Sequence, residues 1–119
     1  MNVLRKVVLV NPQIAIASWN APLGTLDSTS IRFGLAYISA CLKKAGHEVK
    51  LIDLRVLKGW EDYDRILKKQ RPDFLGVSMH TAEFDVATEC CRRAKILDSN
   101  IKTIVGGIHP TMYPKECLK

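Results

Sequence analysis

The chain has 119 residues, 47% hydrophobic and 25% charged, an ordinary composition for a soluble globular protein and enough length for one domain with a real core. No apolar run approaches the roughly 18 residues of a membrane span, and the "VVLV" after Arg5 and Lys6 is too short for a secretory signal core, so a cytoplasmic protein with no membrane partner is expected. The net charge of +6 arises from basic residues scattered among acids without interleaved aromatics, which argues against nucleic acid as a partner.

The elements follow in chain order. "VLRKVVLVN" (3–11) ends in a nearly continuous β-branched run, the pattern of a strand covered on both faces. "FGLAYISACLKKAG" places Leu35, Ile38, Leu42 and Ala45 at helical spacing and stops at Gly46; Thr29 or Ser30 suits its N-cap. "HEVKLIDL" is a second strand. "WEDYDRILKKQR" gathers Trp60, Tyr63, Ile66 and Leu67 on one helical face and ends before Pro72. "DFLGVSMH" is a third strand, "EFDVATECCRRAKILD" a third helix and "IKTIVGG" a fourth strand, while "YPKECLK" begins another helix.

Strands alternating with helices across short joints imply right-handed crossovers and a parallel sheet. The expected fold class is therefore α/β, doubly wound, Rossmann-like or flavodoxin-like, with strand order 2-1-3-4 near residues 6 to 11, 48 to 53, 73 to 78 and 101 to 106. The fifth strand usual in such folds has no counterpart in the sequence. Ligands of these sheets bind beyond the carboxyl ends of the strands. Those ends carry "NPQIAIASWNAPLGTLDSTSIR", "DLRVLKG", "SMHTAE" and "GGIHPT". The first is far longer than the two to six residues usual there, and long loops in compact domains tend to be functional.

Several chemistries are excluded. The first loop begins "NPQIAI", without the G-x-G-x-x-G of a dinucleotide fold or a compact phosphate cradle for flavin, and G-x-x-x-x-G-K-[ST] is absent. A phospho-receiver needs acids where Asn11 and Pro12 stand. Cys41, Cys90, Cys91 and Cys117 have neither disulfide nor metal spacing, and the vicinal pair reads as buried free thiols. The histidines form no metal group and no triad; His47, after a helix-ending glycine, reads as a surface residue. What remains is the glycine pair Gly106 and Gly107 after the fourth strand, beside Ser78 at the end of the third. Such a pair lets a flat ligand rest on the main chain, and the serine can donate to it; by themselves the three residues also suit a plain turn.

"GLAYISACLKKAGHEVKLIDL", "RPDFLGVSMHT" and "IVGGIHPT" together resemble the cobalamin-binding domain at the N-terminus of cobalamin-dependent radical S-adenosylmethionine enzymes, over nearly the whole chain. The resemblance implies that Gly106 and Gly107 make room for the nucleotide tail of cobalamin and that Ser78 contacts it. Around them it assigns Asn11, Pro12, Thr29, Ile31, Met79, His80, Thr81, His109 and Pro110 to the cofactor site. His80 stands where the wider fold has a leucine and faces either the corrin edge or solvent; His109, held by Pro110, lies on the rim and meets ligand or a neighbouring domain. Many cobalamin domains carry D-x-H-x-x-G before the first helix, its histidine ligating cobalt and its aspartate orienting the ring. Aligning Gly34 with that glycine puts Ile31 at the ligand position and Thr29 at the aspartate position. Isoleucine cannot coordinate cobalt, which matches the branch that binds cobalamin with its own base displaced and no protein histidine in its place.

The same resemblance implies a longer parent, of which these residues are an N-terminal fragment. Its C-terminal radical domain would hold a [4Fe-4S] iron-sulfur cluster and S-adenosylmethionine and, as a methyltransferase, pass a methyl group from cobalamin to a substrate radical. The C-x-x-x-C-x-x-C triplet for that cluster is not in this chain. The rival expectation is a non-catalytic interaction module of the same fold that has lost cobalamin. Two consequences follow from the sequence: an unpaired fourth strand should promote self-association, and Gly107→Val should block cobalamin while sparing the fold.

Overall fold

In the computed structural model, residues 3–12 and 32–118 are described. Four parallel strands, β1 (Lys6–Asn11), β2 (Glu48–Asp53), β3 (Phe74–Ser78) and β4 (Lys102–Gly106), form one sheet in the order β2-β1-β3-β4. Helices α1 (Phe33–Lys44), α2 (Trp60–Gln70) and α3 (Phe84–Leu97) make the crossovers, and the short helices α4 (Ile108–Met112) and α5 (Pro114–Cys117) follow β4. The doubly wound α/β expectation holds, including its strand order.

Alternation along the strands sorts the apolar side chains onto two faces. Val8, Val10, Ile52, Leu75 and Val77 pack with Tyr63 and Leu67 of α2 and with Val86, Ala87, Cys90 and Ala94 of α3. Val7, Leu9 and Val49 on the other face meet Leu35 of α1, with Leu42 and Phe74 at the margin. Among the described residues, two long helices cover the first face and a single one covers the second. That asymmetry leaves the β3–β4 side of the second face open.

Local signals explain where the elements stop. Gly46 adopts φ +93° and ends α1, with its N–H on the Lys43 carbonyl and that of His47 on the Leu42 carbonyl, both at 3.0 Å. Arg71, at φ 47°, closes α2 in the left-handed conformation immediately before Pro72. The start of α1 differs from expectation: the cap is Arg32, which makes no side-chain capping bond because its guanidinium is drawn across to β3. Tyr63 donates to the Cys90 carbonyl at 2.9 Å. Burial, and then the neighbouring Cys91 and Glu89, push the Cys90 thiol up to about 12, so it is an inert core group; Cys91 is half-buried and Cys41 exposed.

Among the described residues both outer strands offer unpaired main-chain groups, with different protection. β2 carries Glu48, Lys50 and Asp53, charges that discourage pairing with another chain, whereas β4 presents Ile104, 55% exposed, and Val105 behind a single Lys102. Self-association through β4 is therefore expected to grow with protein concentration in sedimentation velocity and to protect β4 amides from hydrogen exchange. Monomeric behaviour at every concentration would argue that the edge is silent.

Candidate functional site

The open part of the sheet is a cleft of about 600 Å³. The register sets its floor, for Gly76 lies opposite Ile104 and beside Leu9, while Ser78 pairs with Gly106. Gly76 and Gly106 remove two side chains from adjacent strands on one face: the Leu9 side chain lies over Gly76, 2.9 Å from a Cβ built there, while Gly106 leaves the trough open. Val7, Leu9, Phe74 and Ile104 complete the floor, and Gly34, Leu35, Ile38 and Leu42 of α1 form the wall. Among the described residues, a Cβ built on Gly106 meets nothing within 4 Å. The trough is mostly apolar and open along one side, with polar groups at its ends.

At the carboxyl end stands Ser78, half-buried and held by Arg32. One Arg32 amino group donates to the Ser78 carbonyl at 2.9 Å and reaches its hydroxyl at 3.4 Å. The other donates to both carboxylate oxygens of Glu83, of which Oε1 also accepts the His80 backbone N–H at 2.8 Å. Side-chain exposure is 12% for Arg32 and 2% for Glu83, so this is a nearly buried ion pair. It ties the first residue before α1 to the end of β3, fixing the two sides of the cleft mouth.

The glycine pair splits in role. Gly106 is open floor, but Gly107 has φ +111° and its Cβ position lies 2.7 Å from the Met79 carbonyl oxygen and 3.1 Å from the Met79 nitrogen. Glycine at 107 is required by the close approach of the β3 and β4 ends, where the Met79 N–H donates to the Gly106 carbonyl at 2.8 Å. The expectation that Gly107→Val spares the fold is corrected accordingly. The Met79 side chain itself is buried in the core under α2 and α3, so only its main chain reaches the glycine turn.

His109, expected on the rim, is 4% exposed. Its ring packs against Phe84 and Tyr113, with centroids 5.1 and 5.3 Å away, and Nδ1 lies 3.0 Å from Thr81 Oγ1. It clasps the loop after β3 to the turn after β4 from beneath and does not line the cleft. Pro110 shares that short helix, and His80 and Thr81 are exposed at the start of the loop. Asn11 and Pro12 are buried at the end of β1; Asn11 Oδ1 has no hydrogen-bond partner among the described residues and borders a second cavity, also about 600 Å³, with Arg32, Lys43, Asp53 and Arg55. Asp53 there accepts from Arg55 at 2.7 Å. Thr29 and Ile31 lie outside the described residues.

The B12 binding domain family matches residues 20–119, every segment that builds the cleft except β1. The chain belongs to the B12-binding domain family. It is 28% identical to the cytidylyl-2-hydroxyethylphosphonate methyltransferase of Streptomyces wedmorensis and 30% identical to an uncharacterized methyltransferase of Pyrococcus horikoshii. Each match covers 96% of this chain, which spans 24% of the length of each relative. The trough suits a B12 cofactor on its own geometry: bare main chain at Gly106 beside the apolar side chains of Leu9 and Ile104 accepts a flat group, α1 adds an apolar wall, and Ser78 offers a hydroxyl at the mouth.

Four contributors were not singled out from the sequence. Gly76 had a visible signal, a glycine inside an otherwise apolar strand. Arg32, Glu83 and His47 had none, because their partners are remote in sequence. His47, expected on the surface, is half-buried and lines the amino end of the cleft. Among the described residues no helix is long and apolar enough to cross a membrane, and no group of three or more His, Cys, Asp or Glu is placed to hold a metal ion.

Proposed function

We propose that this B12-binding domain seats cobalamin for a longer radical S-adenosylmethionine methyltransferase, with the nucleotide tail of the cofactor lying in the Gly76–Gly106 trough and its own base displaced from cobalt. The observation that carries the reading is that trough, an apolar groove between α1 and β4 with bare main chain at Gly106 and Ser78 at its end. Both methyltransferase relatives support methyl transfer as the chemistry of the parent, in which the bound corrinoid would supply the methyl carrier. The [4Fe-4S] cluster, S-adenosylmethionine and the radical domain are proposed for the remainder of that parent, since Cys41, Cys90, Cys91 and Cys117 lack the cluster spacing.

This chain's own residues bind and orient. Gly106 and Ile104, with Leu9 over Gly76, form the floor under the tail, and Leu35, Ile38 and Leu42 give it an apolar wall. Ser78, accepting from Arg32, keeps its hydroxyl proton free to donate into the mouth. Ile31 at the position of the usual cobalt ligand supports binding without a protein nitrogen on the metal.

The test is gel filtration after mixing with hydroxocobalamin. Visible absorbance is expected to travel with the protein, and the bound cofactor reduced to Co(II) should show an electron paramagnetic resonance spectrum without nitrogen hyperfine splitting. A colourless protein peak would favour the interaction module that keeps the fold without cobalamin. Nitrogen splitting would mean that the base, or a protein nitrogen, stays on the metal.

A further inference from the structure

The cleft does not stop beneath the glycines. It continues along β1 and β3 from Ser78 and Gly106 at the carboxyl end to Arg5, Leu42, His47 and Phe74 at the amino end, and Phe74 to Ser78 alone span about 13 Å at the usual rise per strand residue. Nearly all of that length is lined by hydrocarbon or bare main chain. The remote end has a polar ring.

His47 sits between helix-ending Gly46 and β2, and its Nδ1 accepts the Arg5 backbone N–H at 3.1 Å. A backbone N–H can only donate, so Nδ1 is the unprotonated nitrogen and the neutral ring carries its proton on Nε2. Among the described residues Nε2–H has no hydrogen-bond acceptor. The main-chain contact to β1 and the helix-end bond from the His47 N–H to the Leu42 carbonyl, 3.0 Å, hold the ring in place. His47 is half-buried and lines the end of the trough, so water meets its donor until a ring bearing an acceptor takes that place, a discrimination of about one net hydrogen bond.

We infer that His47 is a specificity-determining residue, whose Nε2–H donates to a ring nitrogen of the heteroaromatic base at the end of the cofactor's tail. This rests on the proposal that the tail occupies the cleft. The family match covers His47 but assigns it no role.

The experiment measures binding of three corrinoids to the whole chain by equilibrium dialysis with absorbance readout: cobalamin, a cobamide whose base is a phenol without ring nitrogen, and cobinamide, which has no base. His47→Leu should weaken cobalamin about tenfold, the size of one net hydrogen bond, and leave the phenolic cobamide and cobinamide unchanged. The comparison is made between proteins for each corrinoid, because cobalamin alone must release its base from cobalt before binding. His47→Gln, which retains an N–H donor, should recover part of the loss. A folded His47→Leu protein that binds cobalamin as tightly as the unmodified chain would overturn the inference, as would an equal loss for all three corrinoids, whereas failure of the unmodified protein to bind any of the three would overturn the proposed function itself.

Discussion

Replacing Gly106 with valine is expected to weaken cobalamin binding by about 10- to 100-fold, the effect of 1–3 kcal/mol of overpacking at a close contact, while the melting temperature of the chain stays near its starting value. The physical basis is the empty space above this glycine. Among the described residues a Cβ there touches nothing within 4 Å, and Gly106 is not among the positive-φ residues, so the backbone accepts a side chain without strain. Valine also suits a strand and restricts the unfolded chain more than glycine does. Its methyl groups would project into the trough that the tail is proposed to fill. Titration of the variant with hydroxocobalamin and a circular dichroism melt supply the two readouts.

Gly107→Val is the contrasting variant. At φ +111° a side chain costs about 1–3 kcal/mol of backbone strain, and the Met79 carbonyl 2.7 Å from the Cβ position is main chain that cannot swing aside. That variant should melt clearly below the unmodified protein before any ligand is added. If Gly106→Val binds as tightly as the unmodified chain while properly folded, the tail does not lie over this strand end. Should Gly107→Val melt normally, the β3–β4 crossing is looser than its hydrogen bonds indicate.

The second large effect concerns the ion pair at the mouth. Arg32→Met should destabilise the chain by about 3–5 kcal/mol, because it strands the Glu83 carboxylate in a buried site with the His80 N–H as its remaining donor among the described residues. That is a large share of the roughly 5–15 kcal/mol available to a domain. Adding Glu83→Gln should return much of the loss, since an amide at that position carries no charge to desolvate. A double-mutant cycle in urea measures the coupling. Arg32→Met melting with the unmodified protein would show that Glu83 finds water or another partner. Binding should weaken in Arg32→Met as well, because the same guanidinium fixes the Ser78 carbonyl and reaches its hydroxyl.

The strands and helices were legible because their signals are local. A nearly continuous β-branched run at Val7 to Val10, a glycine at 46 that permits φ +93°, and a proline at 72 that stops α2 each act within one turn or one strand. Alternation of the elements then limited the topology to a parallel sheet, and the glycine pair beside a strand-end serine marked the carboxyl edge where a ligand belongs. Residue roles within that edge were another matter. Gly106 and Gly107 are identical in sequence terms, and only the register of β4 on β3 makes one of them floor and places the Met79 carbonyl behind the other. Arg32 meets Glu83 across 51 residues, and His47 meets Arg5 across 42. Such pairs depend on which strand ends the fold brings together, and no local propensity encodes that. The same holds for His109, whose loop looked exposed until the packing of Phe84 and Tyr113 buried it. Local chemistry therefore determined the elements and the edge at which they bind, whereas the bare face, the buried ion pair and the donor at the far end of the cleft exist only once the sheet has set its register and α1 has covered half of one face.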